Sequence, residues 1–133
     1  MKKLFLLLCL FSLSSCELII DNAIDNLTDD SDPNYDVFLK IENNSNYQLD
    51  NVQITSYSSI HINRLTPHKK TESFGEYSIL KSPFISFYIN NELYEHDFSN
   101  PQILIESGNY ILKVTVLSTS LHSFTAELIE DTE

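Results

Sequence analysis

Tryptophan is missing from this chain of 133 residues, and glycine occurs only twice. So few glycines exclude the glycine-rich loops that cradle phosphates, because such loops need backbone to approach the ligand where a Cβ would stand. Cysteine also occurs twice, as Cys9 and Cys16, both close to the N-terminus. From Glu17 onward no thiol is left for a disulfide, a thiolate metal site or a nucleophile. Small exported domains often use disulfides, so this one must rely on its hydrophobic core. Basic residues are scarce: 8 Lys and Arg stand against 19 Asp and Glu, a net charge of −11. That balance repels nucleic acid and anionic headgroups, keeps the chain soluble, and favours neutral or cationic partners. No apolar run approaches the about 20 residues of a transmembrane helix. The longest, Leu4 to Phe11, is roughly half that length.

What is present begins at the N-terminus. Lys2 and Lys3 precede the apolar run, which gives way to Ser12, Leu13, Ser14, Ser15 and Cys16. A positive start, a short apolar stretch and small residues before a cleavage point form the pattern of a processed secretory signal. An uncleaved anchor helix would leave that small-small-Cys ending unexplained. Leu13-Ser14-Ser15-Cys16 resembles the lipobox of bacterial lipoproteins. The resemblance implies cleavage between Ser15 and Cys16, a diacylglyceryl group on the Cys16 sulfur and an acylated N-terminus. Residues 1–15 would then be the signal peptide, and the mature chain, lacking Lys2 and Lys3, would be more acidic still. Anchoring follows from hydrocarbon transfer: each buried CH₂ contributes about 0.8 kcal/mol, one acyl chain binds marginally and two hold. Glu17 is not the aspartate that marks inner-membrane retention in that family. The resemblance therefore implies a cell-envelope location, at the outer rather than the inner membrane where an organism has both.

Residues 16–34 read as the lipidated N-terminus and an acidic tether. Asp21, Asp25, Asp29, Asp30 and Asp32 are interleaved with Asn and Ser, and Pro33 closes the stretch. Low hydrophobicity with high charge disfavours a packed core. Asp30, Asp32, Asn34 and Asp36 recur at every second position, the spacing of the first half of an EF-hand-type calcium loop. Tyr35 stands where that loop needs its turn glycine, and Ile41 stands where it needs a bidentate glutamate. A solvated linker accounts for the same four residues.

Residues 35–133 carry a β signal. Val37, Leu39 and Ile41 alternate with Phe38, Lys40 and Glu42, and Ile85, Phe87 and Ile89 alternate with Phe84, Ser86 and Tyr88. Tyr110, Leu112, Val114 and Val116 share one face of a long strand, and Phe124, Ala126 and Leu128 one face of the last. Turn clusters separate these runs at Asn43-Asn44-Ser45-Asn46, Asp50-Asn51, Thr66-Pro67-His68-Lys69 and Asn90-Asn91. The Asn90-Asn91 pair predicts a tight hairpin. A strand is expected over Thr71 to Phe74, ended by Gly75, with one helical turn available to Glu76 to Leu80. The sum is a single all-β domain, a β-sandwich of about seven or eight strands.

Two resemblances refine this. Ile105-Glu106-Ser107-Gly108-Asn109-Tyr110 resembles the tyrosine corner of Greek-key sandwiches. Phe38-Leu39-Lys40-Ile41-Glu42-Asn43-Asn44-Ser45, with Leu49-Asp50-Asn51-Val52 and Leu65-Thr66-Pro67, resembles the immunoglobulin-like FxLYD type of bacterial envelope domain. The usual glycine after that proline is His68 here. The resemblance implies an immunoglobulin-like Greek-key fold and no activity.

Candidate chemistry is sparse. His61, His68, His96 and His122 are scattered without metal-ligand spacing. There is no G-x-S-x-G elbow, and neither a catalytic residue nor a cofactor is expected. Tyr88, Tyr94 and His96 flank the Asn90-Asn91 hairpin as a candidate surface for a glycan or a protein; otherwise Tyr88 and Tyr94 pair across the hairpin as ordinary strand residues. Asn43-Asn44-Ser45 fits the N-glycosylation pattern and reads as a turn. The expected function is that of a membrane-anchored, non-catalytic envelope lipoprotein. Its partners would be the bilayer, through acylated Cys16, and an unidentified envelope protein or glycan. The alternatives are an anchored hydrolase, an inhibitor that inserts the Asn90 hairpin into a cleft, and a calcium-dependent binder using Asp30 to Asp36.

Overall fold

The computed structural model describes residues 34–98 and 102–133. Among them are ten strands and no helix: β1 Val37–Asn43, β2 Leu49–Thr55, β3 Ser59–Leu65, β4 Phe74–Glu76, β5 Ile79–Leu80, β6 Phe84–Ile89, β7 Glu92–Asp97, β8 Leu104–Ile105, β9 Gly108–Ser118 and β10 Ser123–Glu130. Eight of these form two four-stranded sheets, ordered β10-β9-β1-β4 and β3-β2-β6-β7. The other two, β5 and β8, pair with each other. The chain is an all-β sandwich, as its alternation predicts.

Alternation is what builds the layers. Successive side chains of a strand point to opposite faces. In β1, Val37, Leu39 and Ile41 are buried, while Phe38 is exposed and Lys40 and Glu42 only partly covered. The inward sets of β2, β6, β9 and β10 join them, and Phe87 of β6 meets Phe124 of β10 edge-on at 4.7 Å. Each fully buried Val, Leu, Ile or Phe contributes about 1.5–3 kcal/mol relative to exposure. The pairing that local sequence does not announce is parallel: β1 runs alongside β9 from Val37↔Gly108 to Asn43↔Val114.

Three expected breaks take another form. Asp50-Asn51 is not a turn but lies within β2, where Asn51 has φ 49° and the register against β6 slips between Asp50 and Gln53. Such an extra residue is a β-bulge, and asparagine tolerates the positive φ. Gly75 does not end a strand; it is the middle of β4, because the Tyr35 ring lies 2.1 Å from where its Cβ would stand. Glu76 to Leu80 forms no helical turn and instead joins β4 to β5. Gly108 has φ +114°, and Tyr110 folds back over it at 3.0 Å from a would-be Cβ, so only glycine fits that corner without strain.

The end of β1 is fixed by a buried amide. Asn43 is fully buried. Its Nδ2 donates to the carbonyls of Tyr47 (2.7 Å) and Leu65 (3.0 Å). Its Oδ1 accepts from the Ser45 N–H (3.1 Å) and hydroxyl (2.6 Å). All the hydrogen-bonding capacity of one carboxamide is used. Leu65 ends β3 of the opposite sheet, so this side chain ties the two layers together. It is not an accessible glycosylation acceptor.

The C-terminus is held by a second contact. Lys40 Nζ of β1 lies 2.7 Å from Asp131 Oδ2, with the Asp131 side chain 5% exposed. The hydrogen bond from Lys40 is the main cause holding the Asp131 carboxyl below its ordinary pKa, and the same bond raises the Lys40 ammonium.

Two outcomes follow. Asn43→Ala takes the side-chain donor from the buried Leu65 carbonyl and from the Tyr47 carbonyl and is expected to cost about 2–4 kcal/mol in urea unfolding, whereas Asn44→Ala, at an exposed position, should cost under about 0.5 kcal/mol. An equal, small loss at both positions would show that the amide does not hold the layers. Asp131 is depressed in the folded state, so its contribution is complete above the ordinary carboxylate pKa of about 3.9 and is lost as pH falls through the lower folded value. Lys40 is raised, so its contribution is complete below about 10.4 and is lost as pH rises through its folded value. Urea midpoints measured against pH should fall at both extremes in the wild type, and both falls should be shallower in Asp131→Asn.

Candidate functional site

One end of the sandwich gathers tyrosines that no strand face could bury. The turn from β2 to β3 is Ser56-Tyr57-Ser58, closed by a Ser56 N–H to Ser58 carbonyl bond of 2.9 Å. Tyr57 at its tip is 67% exposed. Directly after β4, Tyr77 is 65% exposed. Its ring sits 5.2 Å from that of Tyr35, inclined at 57°. Gly75 provides the space for Tyr35. The two loops are linked because the Ser58 hydroxyl donates to Glu76 Oε2 at 2.5 Å. Ser56 Oγ accepts from the Leu80 N–H at 2.6 Å, which ties in β5.

Beneath this rim lies a cavity of about 10 Å³, lined by Leu39, Ile54, Ile60, Ile79 and Leu112 under Ser56, Ser58 and Glu76. That is about the space of one water molecule. A cavity that small leaves this end its surface, with exposed rings carrying hydroxyls, for any contact. Tyrosine suits it: the ring buries apolar area and the hydroxyl keeps a hydrogen bond. Exposed Asp36 and half-buried Glu76 give the rim negative charge.

The hairpin expected at Asn90-Asn91 is present, with φ of 51° and 67° at its two turn residues. Its candidate surface is not. A two-residue turn pairs Ile89 with Glu92, Tyr88 with Leu93 and Phe87 with Tyr94. Tyr88 and Tyr94 therefore fall on opposite faces. Tyr88 is partly exposed on the outer face, and Tyr94 is 1% exposed in the core, stacked on Phe87 at 5.3 Å. Burial is the main cause that raises the Tyr94 hydroxyl pKa, with Glu92 adding to it. That hydroxyl donates to the Thr119 carbonyl at 3.3 Å, and the Tyr94 ring packs 4.9 Å from His122, whose Nε2 lies 3.1 Å from Glu92. His96 shares the inward face but sits at the margin, 4.1 Å from Phe98. Tyr94 is thus a core residue rather than part of a binding surface with Tyr88 and His96.

Ser15 and Cys16 lie outside the described residues, as do Asp30 and Asp32 of the candidate calcium loop. Asn34 and Asp36 are exposed, and the Asp36 carbonyl accepts from the Gly108 N–H at 2.9 Å. Sequence reading passed over Tyr57 and Tyr77. The available signal was position: Tyr57 stands between Ser56 and Ser58 and Tyr77 between Glu76 and Ser78, outside any alternating run that would give the ring a sheet face to enter.

No protein-family model matches the chain, and no curated protein matches it by sequence. Among solved structures, it is similar to the NMR structure of a protein from Eubacterium rectale, with a TM-score of 0.53 and 10% identity, covering 77% of this chain and 95% of that one. At that identity the likeness concerns the fold alone.

The tyrosine end depends on Gly75. A methyl group there overlaps the Tyr35 ring, so Gly75→Ala should drive Tyr35 off Tyr77. Nuclear Overhauser contacts between the two rings are expected to vanish while Asn43 and Tyr94 keep theirs. Retained ring contacts would disprove the dependence.

Proposed function

We propose that this protein is a lipid-anchored lipoprotein of the bacterial cell envelope whose β-sandwich is a non-catalytic binding or structural module. The observation that carries the anchor is Leu13-Ser14-Ser15-Cys16 at the end of a short apolar run behind Lys2 and Lys3. In this reading Cys16 is the acylated N-terminus, residues 16–34 are the tether, and residues 35–133 are the domain it presents. An immunoglobulin-like FxLYD kinship is part of the same proposal. The binding role draws support from Tyr57 and Tyr77, which expose large rings at one loop end over a cavity that admits about one water molecule. The partner is an envelope protein or a glycan, neutral or cationic in keeping with the net charge of −11. The inhibitor alternative draws little from the Asn90 hairpin, whose tip is only two residues long and gives a cleft little to grip.

Mass spectrometry of the protein from native membranes tests the anchor. The expected N-terminus is Cys16 carrying diacylglyceryl and an amide-linked acyl chain, and Cys16→Ser should abolish incorporation of labelled palmitate. An intact Met1 with an unmodified Cys16 sulfur would refute it.

A further inference from the structure

We propose that the free edge of β10 is a strand-addition site for an extended basic segment of a partner protein. This rests on the reading of the domain as a binding module, and it uses strand backbone rather than the Tyr57 and Tyr77 rings, although Leu128 also lines the cavity beneath them.

Among the described residues, the two sheets end in four edge strands: β10, β4, β3 and β7. Proteins protect such edges with short strands, charges or irregularity. β4 has three residues. β7 carries Glu92, Glu95, His96 and Asp97 among its six. β3 carries Arg64, and its buried positions lose their alternation between Ile62 and Leu65. By contrast, β10 has eight residues, no proline, glycine or lysine, and a regular register against β9 from Phe124 to Glu130.

The direction of its free groups can be deduced. The Asp131 N–H donates to the Asn109 carbonyl at 2.9 Å. In an antiparallel ladder, hydrogen-bonded pairs alternate with pairs whose groups point away. Thr125, Glu127 and Ile129 therefore bond to β9, while Ala126, Leu128 and Glu130 direct N–H and C=O off the sheet. On the far side of Ala126, the Val114 carbonyl accepts from Asn44, as this phase requires. Among the described residues no strand pairs with β10 on its outer side.

Side chains set the kind of partner. Ala126 and Leu128 pack against the core yet remain partly exposed at the open margin. An added strand would cover them with apolar residues at alternate positions. On the outer face, Glu127 stands opposite Lys113 of β9 and, among the described residues, has no cross-strand neighbour on its other side. Glu130, exposed near the strand's end, lies on the other face, that of Ala126 and Leu128. The complement is a strand that alternates apolar and basic residues. A second copy fits less well. Centring the self-pair on Glu127 sets that carboxylate against its own copy, and in any register each chain brings a net charge of −11.

The test uses the full chain, ¹⁵N-labelled, titrated with an eight-residue peptide alternating valine and lysine, and in parallel with one alternating valine and glutamate. The lysine peptide should shift the amides of Ala126, Leu128 and Glu130 and slow their hydrogen exchange about tenfold. The glutamate peptide should do neither. Ala126→Pro removes one outward N–H at an edge position that tolerates proline, and should abolish the effect. Glu127→Lys, a surface change that leaves the backbone intact, should weaken the lysine peptide and admit the glutamate one. Removing both Tyr57 and Tyr77 rings should leave peptide binding intact, and the Cys16 mass measurement is independent of it, so failure here is distinguishable from failure of the proposed function. Equal binding of both peptides, shifts away from β10, or a concentration-dependent dimer lost in Ala126→Pro would overturn the proposal.

Discussion

The sandwich depends on one buried carboxamide. β1 pairs with β9 on one side and β4 on the other, and it ends at Asn43 while β9 and β10 run on to Ser118 and Ser123. At that end Asn43 takes two carbonyls and gives one acceptor atom to Ser45, bridging to β3 in the facing sheet. A polar group placed there unpaired would be expensive, and fully paired it is specific. No hydrophobic residue could substitute for it without taking a donor from the Tyr47 carbonyl and from the buried Leu65 carbonyl. This fixes how far β1 runs and where the next loop leaves, in a domain with no disulfide to do the same.

With that end closed, the opposite end is free to carry surface chemistry. Loops there are joined by the Ser58 hydroxyl donating to the Glu76 carboxylate and by the Ser56 hydroxyl accepting from the Leu80 N–H. They hold the Tyr57 and Tyr77 loops in place without burying either ring. The Tyr35 ring belongs to the same arrangement because β4 has a glycine at its centre. Packing and exposure are thus coupled through one missing Cβ.

Most of the layered architecture was legible in the chain, because period-two alternation and asparagine-rich turns are local signals. Val37 to Glu42 and Ile85 to Ile89 show their inward faces directly. The parallel union of β1 with β9 was not legible, since nothing in either segment names a partner some 70 residues away. The bulge at Asn51 read as a turn because asparagine suits both. The division of Tyr88 from Tyr94 was legible in principle: counting outward from a two-residue turn places them on opposite faces. Asn43 was visible only as a turn residue, because a buried amide and an exposed one look alike until the loop that satisfies it is folded. The proposed anchor at Cys16 rests on sequence alone.

Net charge and the open edge of β10 bear on each other. An uncovered strand edge invites pairing with any extended chain, including another copy. At physiological ionic strength the Debye length is about 8 Å, so charge is felt mainly at close approach. Close approach is what strand pairing requires, with backbones about 4.8 Å apart. A self-pair centred on Glu127 would set that carboxylate against its own copy, between two chains of net charge −11. Acidity thereby does for β10 what lysine or proline does for edge strands elsewhere, and it discriminates. It discourages the chain's own copies and still admits a basic strand. Confinement by a lipid anchor at Cys16 would strengthen the need for that discrimination, because tethering to a surface raises the local concentration of the domain against itself.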